Sequence, residues 1–169
     1  MRLLRNKALW IALVCAAPLV LGTAAYLLGW SPGAPSNYGE LIPPRVIASL
    51  NEFRGKWVLV TFDGAQCDAE CERKLYIVRQ VRRAQGKDME RIERVWVITD
   101  TGKPRADVLA ATEGARVARF AADGFPGTPA DHIYVVDPLG NLMMRFPRDP
   151  DPSKIIKDLQ RLLKYSRFG

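Results

Sequence analysis

Trp57-Val58-Leu59-Val60-Thr61-Phe62-Asp63-Gly64-Ala65-Gln66-Cys67-Asp68-Ala69-Glu70-Cys71 carries the reading of this 169-residue chain. Its first six residues form a near-continuous apolar run, the pattern of a central strand buried on both faces. From about residue 68 to 84 the pattern turns helical: Leu75, Val78 and Val81 recur at helical spacing with Arg73, Arg79 and Arg82 between them. Cys67 and Cys71, spaced C-x3-C, therefore stand where a strand hands over to a helix. Backbone amides at a helix N-terminus favour negative charge, so thiolates form more easily there.

Working outward, residues 95–99 read as a second apolar strand and 106–112 as a short helix that Gly114 ends. Residues 115–120 are expected as a short strand and 121–130 as a loop holding two glycines and two prolines. His132–Val136 is a strand, and Asp137-Pro138-Leu139-Gly140 suits a type I turn with proline at its second position. Residues 141–146 return as the hairpin partner. Asp151 and Pro152 form an N-cap and first-turn pair. They open a helix with Ile155, Ile156, Leu159, Leu162 and Leu163 on one face. The order β-α-β-α-β-β-α, with cysteines after the first strand, predicts an α/β fold of thioredoxin-like type.

Ahead of this domain, Arg2, Arg5 and Lys7 are followed by no charged residue until Glu40. Residues 8–30 are long enough for a transmembrane helix, since about 20 apolar residues span a bilayer. Trp10 and Trp30 are about 30 Å apart along such a helix, which places both rings at interfacial belts. A cleaved signal peptide has a shorter apolar core and an A-x-A-like site. This run is longer and no such site follows, so it reads as an uncleaved anchor. Val14 before Cys15 argues against lipidation, and Cys15 is expected to be inert within the span. Residues 1–7 then stay in the cytoplasm as a basic flank, 31–44 form a linker rich in Pro, Gly, Ser and Asn, and 45–169 lie outside as one domain. For a bacterium this is a single-pass inner-membrane protein with a periplasmic domain. The net charge of +7 comes with no nucleic-acid motif, so the expected partners are lipid and protein rather than nucleic acid.

The external thiols are thus Cys67 and Cys71, and the chain has one histidine, His132. Two thiolates and an imidazole form a soft three-donor set that suits cuprous copper better than a hard ion. Structural zinc wants four ligands. An oxidising compartment equally permits a disulfide between residues four apart on a helix. Asp68, Glu70 and Asp131 are available to hold the histidine ring or attract cations, or are simply solvated. His132 itself is either a ligand or a structural residue. Met143 and Met144 are soft donors whose strand position favours core packing.

From Gly55 to about Met144 the chain resembles the Sco (SCO/SenC-type) family, membrane-anchored thioredoxin-like proteins of cytochrome c oxidase assembly. The resemblance rests on Cys67–Cys71 after a strand, the Asp131-His132 pair before another, and Asp137-Pro138-Leu139-Gly140. A shorter Sco-like group is matched by Asp131-His132-Ile133-Tyr134 and Asn141-Leu142-Met143-Met144-Arg145-Phe146-Pro147. The chain departs from the family where proline follows each cysteine; here Asp68 and Glu72 stand there. The interval from His132 to Asp137 is about three residues shorter than in the family, and aligning on Asp137-Pro138 puts Pro129 at the family's histidine position. Thr128-Pro129 is instead where a thioredoxin-like fold carries its cis-proline.

The resemblance implies a periplasmic, membrane-tethered copper chaperone that helps load the copper site of a cytochrome c oxidase subunit. Cys67, Cys71 and His132 would be its ligands to Cu(I) or Cu(II). The rival reading is a thiol-disulfide oxidoreductase that keeps the oxidase's copper-site cysteines reduced, with Cys67 attacking and Cys71 resolving. A redox-inactive assembly scaffold is the third reading.

Overall fold

The computed structural model describes residues 2–29 and 37–166. By backbone proximity the chain divides into two units, Met1–Ser36 and Asn37–Gly169. The first holds helix α1 (Arg2–Leu27), which contains Pro18. Its segment Lys7–Leu27, with a mean hydropathy of 2.1, is long and apolar enough to cross a membrane by length and composition. Trp30 and residues 31–36 of the expected linker lie outside the described residues.

The second unit is a six-stranded mixed sheet with helices. Its strands are β1 (Glu40–Val46), β2 (Trp57–Asp63), β3 (Ile92–Ile98), β4 (Arg116–Ala118), β5 (His132–Val136) and β6 (Asn141–Pro147). Their order across the sheet is β1-β6-β5-β2-β3-β4. β2 runs parallel to β3 from Trp57 opposite Ile92 to Asp63 opposite Ile98, and antiparallel to β5. The central place of β2 explains its apolar run: every residue from Trp57 to Phe62 is buried. Helices α2 (Ala69–Arg83), α3 (Ala106–Ala111) and α4 (Pro152–Tyr165) complete the fold.

Strand alternation sorts the core into two layers. Leu59, Ile133, Val135 and Phe146 point to one face and pack with Ile77, Val78 and Val81 of α2 and Ile155, Leu159 and Leu163 of α4. Val58, Val60, Phe62, Tyr134 and Val136 point to the other, against Ile47, Leu50, Phe53 and Phe125. There the rings of Phe62 and Phe125 are 4.8 Å apart and those of Phe125 and Tyr134 5.0 Å. The Tyr134 hydroxyl donates to the Pro126 carbonyl at 2.7 Å, and burial pushes its pKa up to about 12.

Strand β4 is shorter than expected, Arg116–Ala118 within 115–120, and two further elements differ. Strand β1 starts at Glu40, inside the 31–44 stretch expected as a linker, and contains Pro43 and Pro44. Proline is tolerated on an edge strand, and the pairing with β6 breaks register between Leu41 and Arg45. The chain entering β1 is fixed by Asp158, a buried α4 carboxylate that accepts the amides of Tyr38 and Gly39 at 2.8 Å each. A Cβ on Gly39 would come within 2.7 Å of the Phe146 ring, so only glycine fits beneath β6. Strand β3 starts at Ile92, three residues before the apolar run. The charges there are matched across the fold: Glu93 pairs with Lys56 at 2.9 Å, and the buried Arg94 guanidinium donates to the carbonyls of Thr112 at 2.7 Å and Glu113 at 2.8 Å.

Candidate functional site

The turn between β2 and α2 is tight. The Cys67 amide donates to the Gly64 carbonyl at 3.1 Å, and Cys67 has φ +44°. A residue with a Cβ enters this left-handed region only against a steric penalty, so neighbours must hold it there. Asp68 caps α2, its Oδ1 accepting the Cys71 amide at 2.9 Å. Asp100, just past β3, accepts the amides of Ala65 at 3.0 Å and Gly102 at 2.7 Å. A Cβ on Gly64 would lie 2.8 Å from that carboxylate, which accounts for glycine at this point. Arg105, the residue before α3, donates from Nη1 to the carbonyls of Gln66 and Cys67 at 3.3 Å each. The same guanidinium is braced by Glu72 at 3.1 Å and by Asp107 at 2.5 Å.

Cys67 and Cys71 are joined as a disulfide with their Cα atoms 5.1 Å apart. They are 3% and 2% exposed and pack with Ala65, Leu75, Trp96, Ile98 and Val108. Trp96 and Ile98 alternate with Val95 and Val97 along β3, and Val95 and Val97 lie in the Phe62–Tyr134 layer. The disulfide therefore belongs to the α2 side of the sheet.

Lys74, three residues after Cys71 and only 2% exposed, lies 2.9 Å from Asp63 at the end of β2. Its ammonium also donates to the carbonyls of Phe62 at 3.4 Å and of Ala130. It thus ties β2, α2 and the turn Pro129–Asp131 together. Burial raises the Asp63 carboxyl to about 6 although the Lys74 charge opposes the rise.

His132 opens β5 at the same sheet end as the cysteine turn, because Thr61 of β2 pairs with Ile133. Alternation puts its side chain on the face of Tyr134 and Val136, away from α2, and its ring centroid is 5.7 Å from that of Tyr134. Its Nδ1 faces the Thr128 carbonyl at 3.0 Å, which can only accept, so Nε2 is the ring nitrogen left for another partner. Among the described residues no three of His, Cys, Asp or Glu come together as a metal-binding group. Glu70 and Asp131 hold Arg148 between them, with Asp131 at 3.4 Å. Met144 is buried in the α2–α4 core and Met143 packs against it. Cys15 is exposed on α1. The Thr128–Pro129 bond is trans, as is every peptide bond among the described residues.

Asp63, Lys74, Asp100 and Arg105 were not singled out from the sequence. Asp100 and Arg105 act on the cysteine turn through tertiary contact, and Asp63 and Lys74 join the strand and helix that flank it. Lys74 alone left a trace, a charge on the otherwise apolar face of α2.

The family model for the transmembrane-like, thioredoxin-like, C-terminal domain matches residues 57–166. The chain belongs to this family. The match takes in everything from β2 to the end of α4, including the cysteine turn and His132. No curated protein matches the chain.

Among solved structures the family's fold is shared with Sco proteins. Apo Sco1 from Thermus thermophilus is 18% identical, with 77% of this chain and 99% of that chain covered and a TM-score of 0.56. Copper-bound yeast Sco1 is 14% identical, with 79% and 96% covered and a TM-score of 0.56. BsSco, a Sco-family cytochrome c oxidase assembly protein with an identified disulfide switch, is 13% identical, with 79% and 98% covered and a TM-score of 0.52. At these identities the likeness is one of fold.

Proposed function

We propose that this protein is a membrane-anchored factor in assembly of the copper site of cytochrome c oxidase, working through thiol–disulfide exchange at Cys67 and Cys71. Helix α1 is the anchor. The basic flank of Arg2, Arg5 and Lys7 keeps the N-terminus in the cytoplasm and sets the domain in the periplasm. The observation that carries the reading is the bonded pair itself, Cys67 in the turn and Cys71 on the first turn of α2.

In the reduced chain the Cys67 thiolate attacks one sulfur of a disulfide on the oxidase copper-site subunit. A mixed disulfide forms and the subunit's other sulfur leaves as a thiolate. Cys71 then attacks the Cys67 sulfur, releasing the subunit's second thiol. The subunit gains two electrons and both thiol protons, and the Cys67–Cys71 disulfide is left. A dithiol reductant of the same compartment returns the pair to its thiol form. Sco-family structures support the context, since one carries a disulfide switch and belongs to cytochrome c oxidase assembly.

Copper as cargo is the second reading, favoured by the hydrogen bond His132 makes to Thr128. With Nδ1 given to Thr128, Nε2 is the basic nitrogen that a soft cation takes. Cys67, Cys71 and His132 would be the donors, as the copper-bound yeast Sco1 relative encourages. The disulfide form offers no thiolate, so reduction must come first, and the imidazole must reach the thiol side of the sheet.

Thiol labelling of the reduced full chain, before and after mild oxidant, tests the shared premise. The two sites should be lost together and return with reductant. Labelling that oxidant leaves unchanged would contradict both readings.

A further inference from the structure

Cys67 is held in its left-handed conformation by a guanidinium from another element. Arg105 reaches across from the connection between β3 and α3 and gathers the carbonyls of Gln66 and Cys67, at 3.3 Å each. Glu72 at 3.1 Å and Asp107 at 2.5 Å fix its direction, so it is not an arginine that merely lies on the surface. Both carbonyls belong to the turn whose φ of +44° at Cys67 a side chain disfavours.

We infer that Arg105 is a positioning residue that sets how readily Cys67 and Cys71 bond to each other. The inference rests on the thiol pair being the working site. A disulfide across so short a loop constrains the backbone of Cys67. In the thiol form nothing covalent does so, and without Arg105 the turn relaxes toward ordinary backbone geometry. Closing the ring must then restore the unfavourable conformation. Arg105 keeps it in place beforehand, which raises the effective concentration of one thiol at the other. Charge would work in the opposite sense. A cation beside the turn favours thiolate and so the reduced form, and Glu72 and Asp107 largely cancel it.

The test is redox equilibration of the full chain in lipid nanodiscs with glutathione. In this reaction the two thiols give two electrons and their protons to glutathione disulfide, forming the Cys67–Cys71 disulfide and two glutathione thiols. Disulfide occupancy is read by mass after alkylation. Arg105→Ala should lower the equilibrium constant for disulfide formation about tenfold, a rise in potential of about 30 mV for a two-electron couple. Arg105→Lys keeps the charge but loses the paired Nε and Nη2 contacts to Asp107 that aim the group at the turn, and should behave like Arg105→Ala. Arg119→Ala removes donors to the carbonyls of Asp100 and Gly102 in the same connection but no bond to the Gln66 and Cys67 carbonyls, and should behave like wild type.

An unchanged or more stable disulfide in Arg105→Ala overturns the inference. So does full rescue by lysine, which would make the role one of charge, or an equal shift in Arg119→Ala, which would make it general loosening. A wild-type chain that does not exchange with glutathione at all overturns both this inference and the proposed function. A cycling wild type with an indifferent Arg105→Ala overturns the inference alone.

Discussion

Lys74 Nζ lies 2.9 Å from Asp63 Oδ2 with the lysine 2% exposed, so a buried ion pair joins the end of β2 to the helix that carries Cys71. Its placement makes the cysteine-bearing helix and the central strand depend on the same few atoms.

The pair gives a pH signature. Lys74 from α2, Asp68 at the helix cap and Arg148 from the segment after β6 are the charges that act on Asp63, and burial outweighs them, raising its carboxyl from 3.8 to about 6. The native state therefore keeps a proton that the unfolded chain has lost between about pH 4 and pH 6. The stabilisation is full below that window and is lost as pH rises through it. A shift of about two units is at most about 3 kcal/mol. Thermal unfolding of Asp63→Asn across this range should show a flatter profile than wild type; an identical slope would refute the assignment.

Removing the cation is the harsher change. Lys74→Met leaves Asp63 buried without its partner, and breaking such a pair costs roughly 3–5 kcal/mol. Asp63→Asn combined with Lys74→Met should recover part of that loss. Chemical denaturation of the four chains gives the coupling directly, and strict additivity would mean that the two groups do not interact.

Asp158 is expected to matter for how the chain enters β1. It accepts two backbone amides, those of Tyr38 and Gly39. Asp158→Ala leaves both without their partner and should cost about 2–3 kcal/mol. Hydrogen exchange at those two amides should speed up more than exchange in β2. Uniform acceleration across the sheet would point to global destabilisation instead.

At the helix cap, Asp68→Ala should destabilise by about 1 kcal/mol, while Asp68→Asn, which keeps the acceptor, should lose little. Denaturant midpoints with unchanged slopes would report this. An Asp68→Asn variant as weak as the alanine would show that charge at the α2 N-terminus, not the hydrogen bond from Cys71, carries the effect.

The parts legible in the sequence are those whose signal is local. The buried run of β2, the start of α2 near residue 68, the strand His132–Val136 and the Asp151-Pro152 start of α4 each follow from residue pattern or capping chemistry, and each stands where expected. Strand β1 was hidden by Pro43 and Pro44, which look like linker until an edge position excuses them. The first turn of β3 was hidden because Glu93 and Arg94 break its apolar run, and their partners lie far along the chain. The same holds at the site. The cysteines announce themselves, but Arg105 and Asp100 look like ordinary surface charges until the fold brings them to the turn. Sequence could put His132 near the right end of the sheet; only the strand alternation reveals which face its ring takes.

In the proposed function Cys67 and Cys71 reduce a partner by exchange. Cys71→Ser removes the resolving thiol and leaves Cys67 able to attack, so expression of that variant in cells assembling the oxidase is the most direct measurement. A mixed disulfide linking Cys67 to the copper-site subunit should accumulate, absent in Cys67→Ser and released by reductant, with little change when His132→Ala is added. No trapped subunit in Cys71→Ser, together with copper binding to the reduced chain that His132→Ala weakens sharply, would contradict the exchange reading and establish copper delivery in its place.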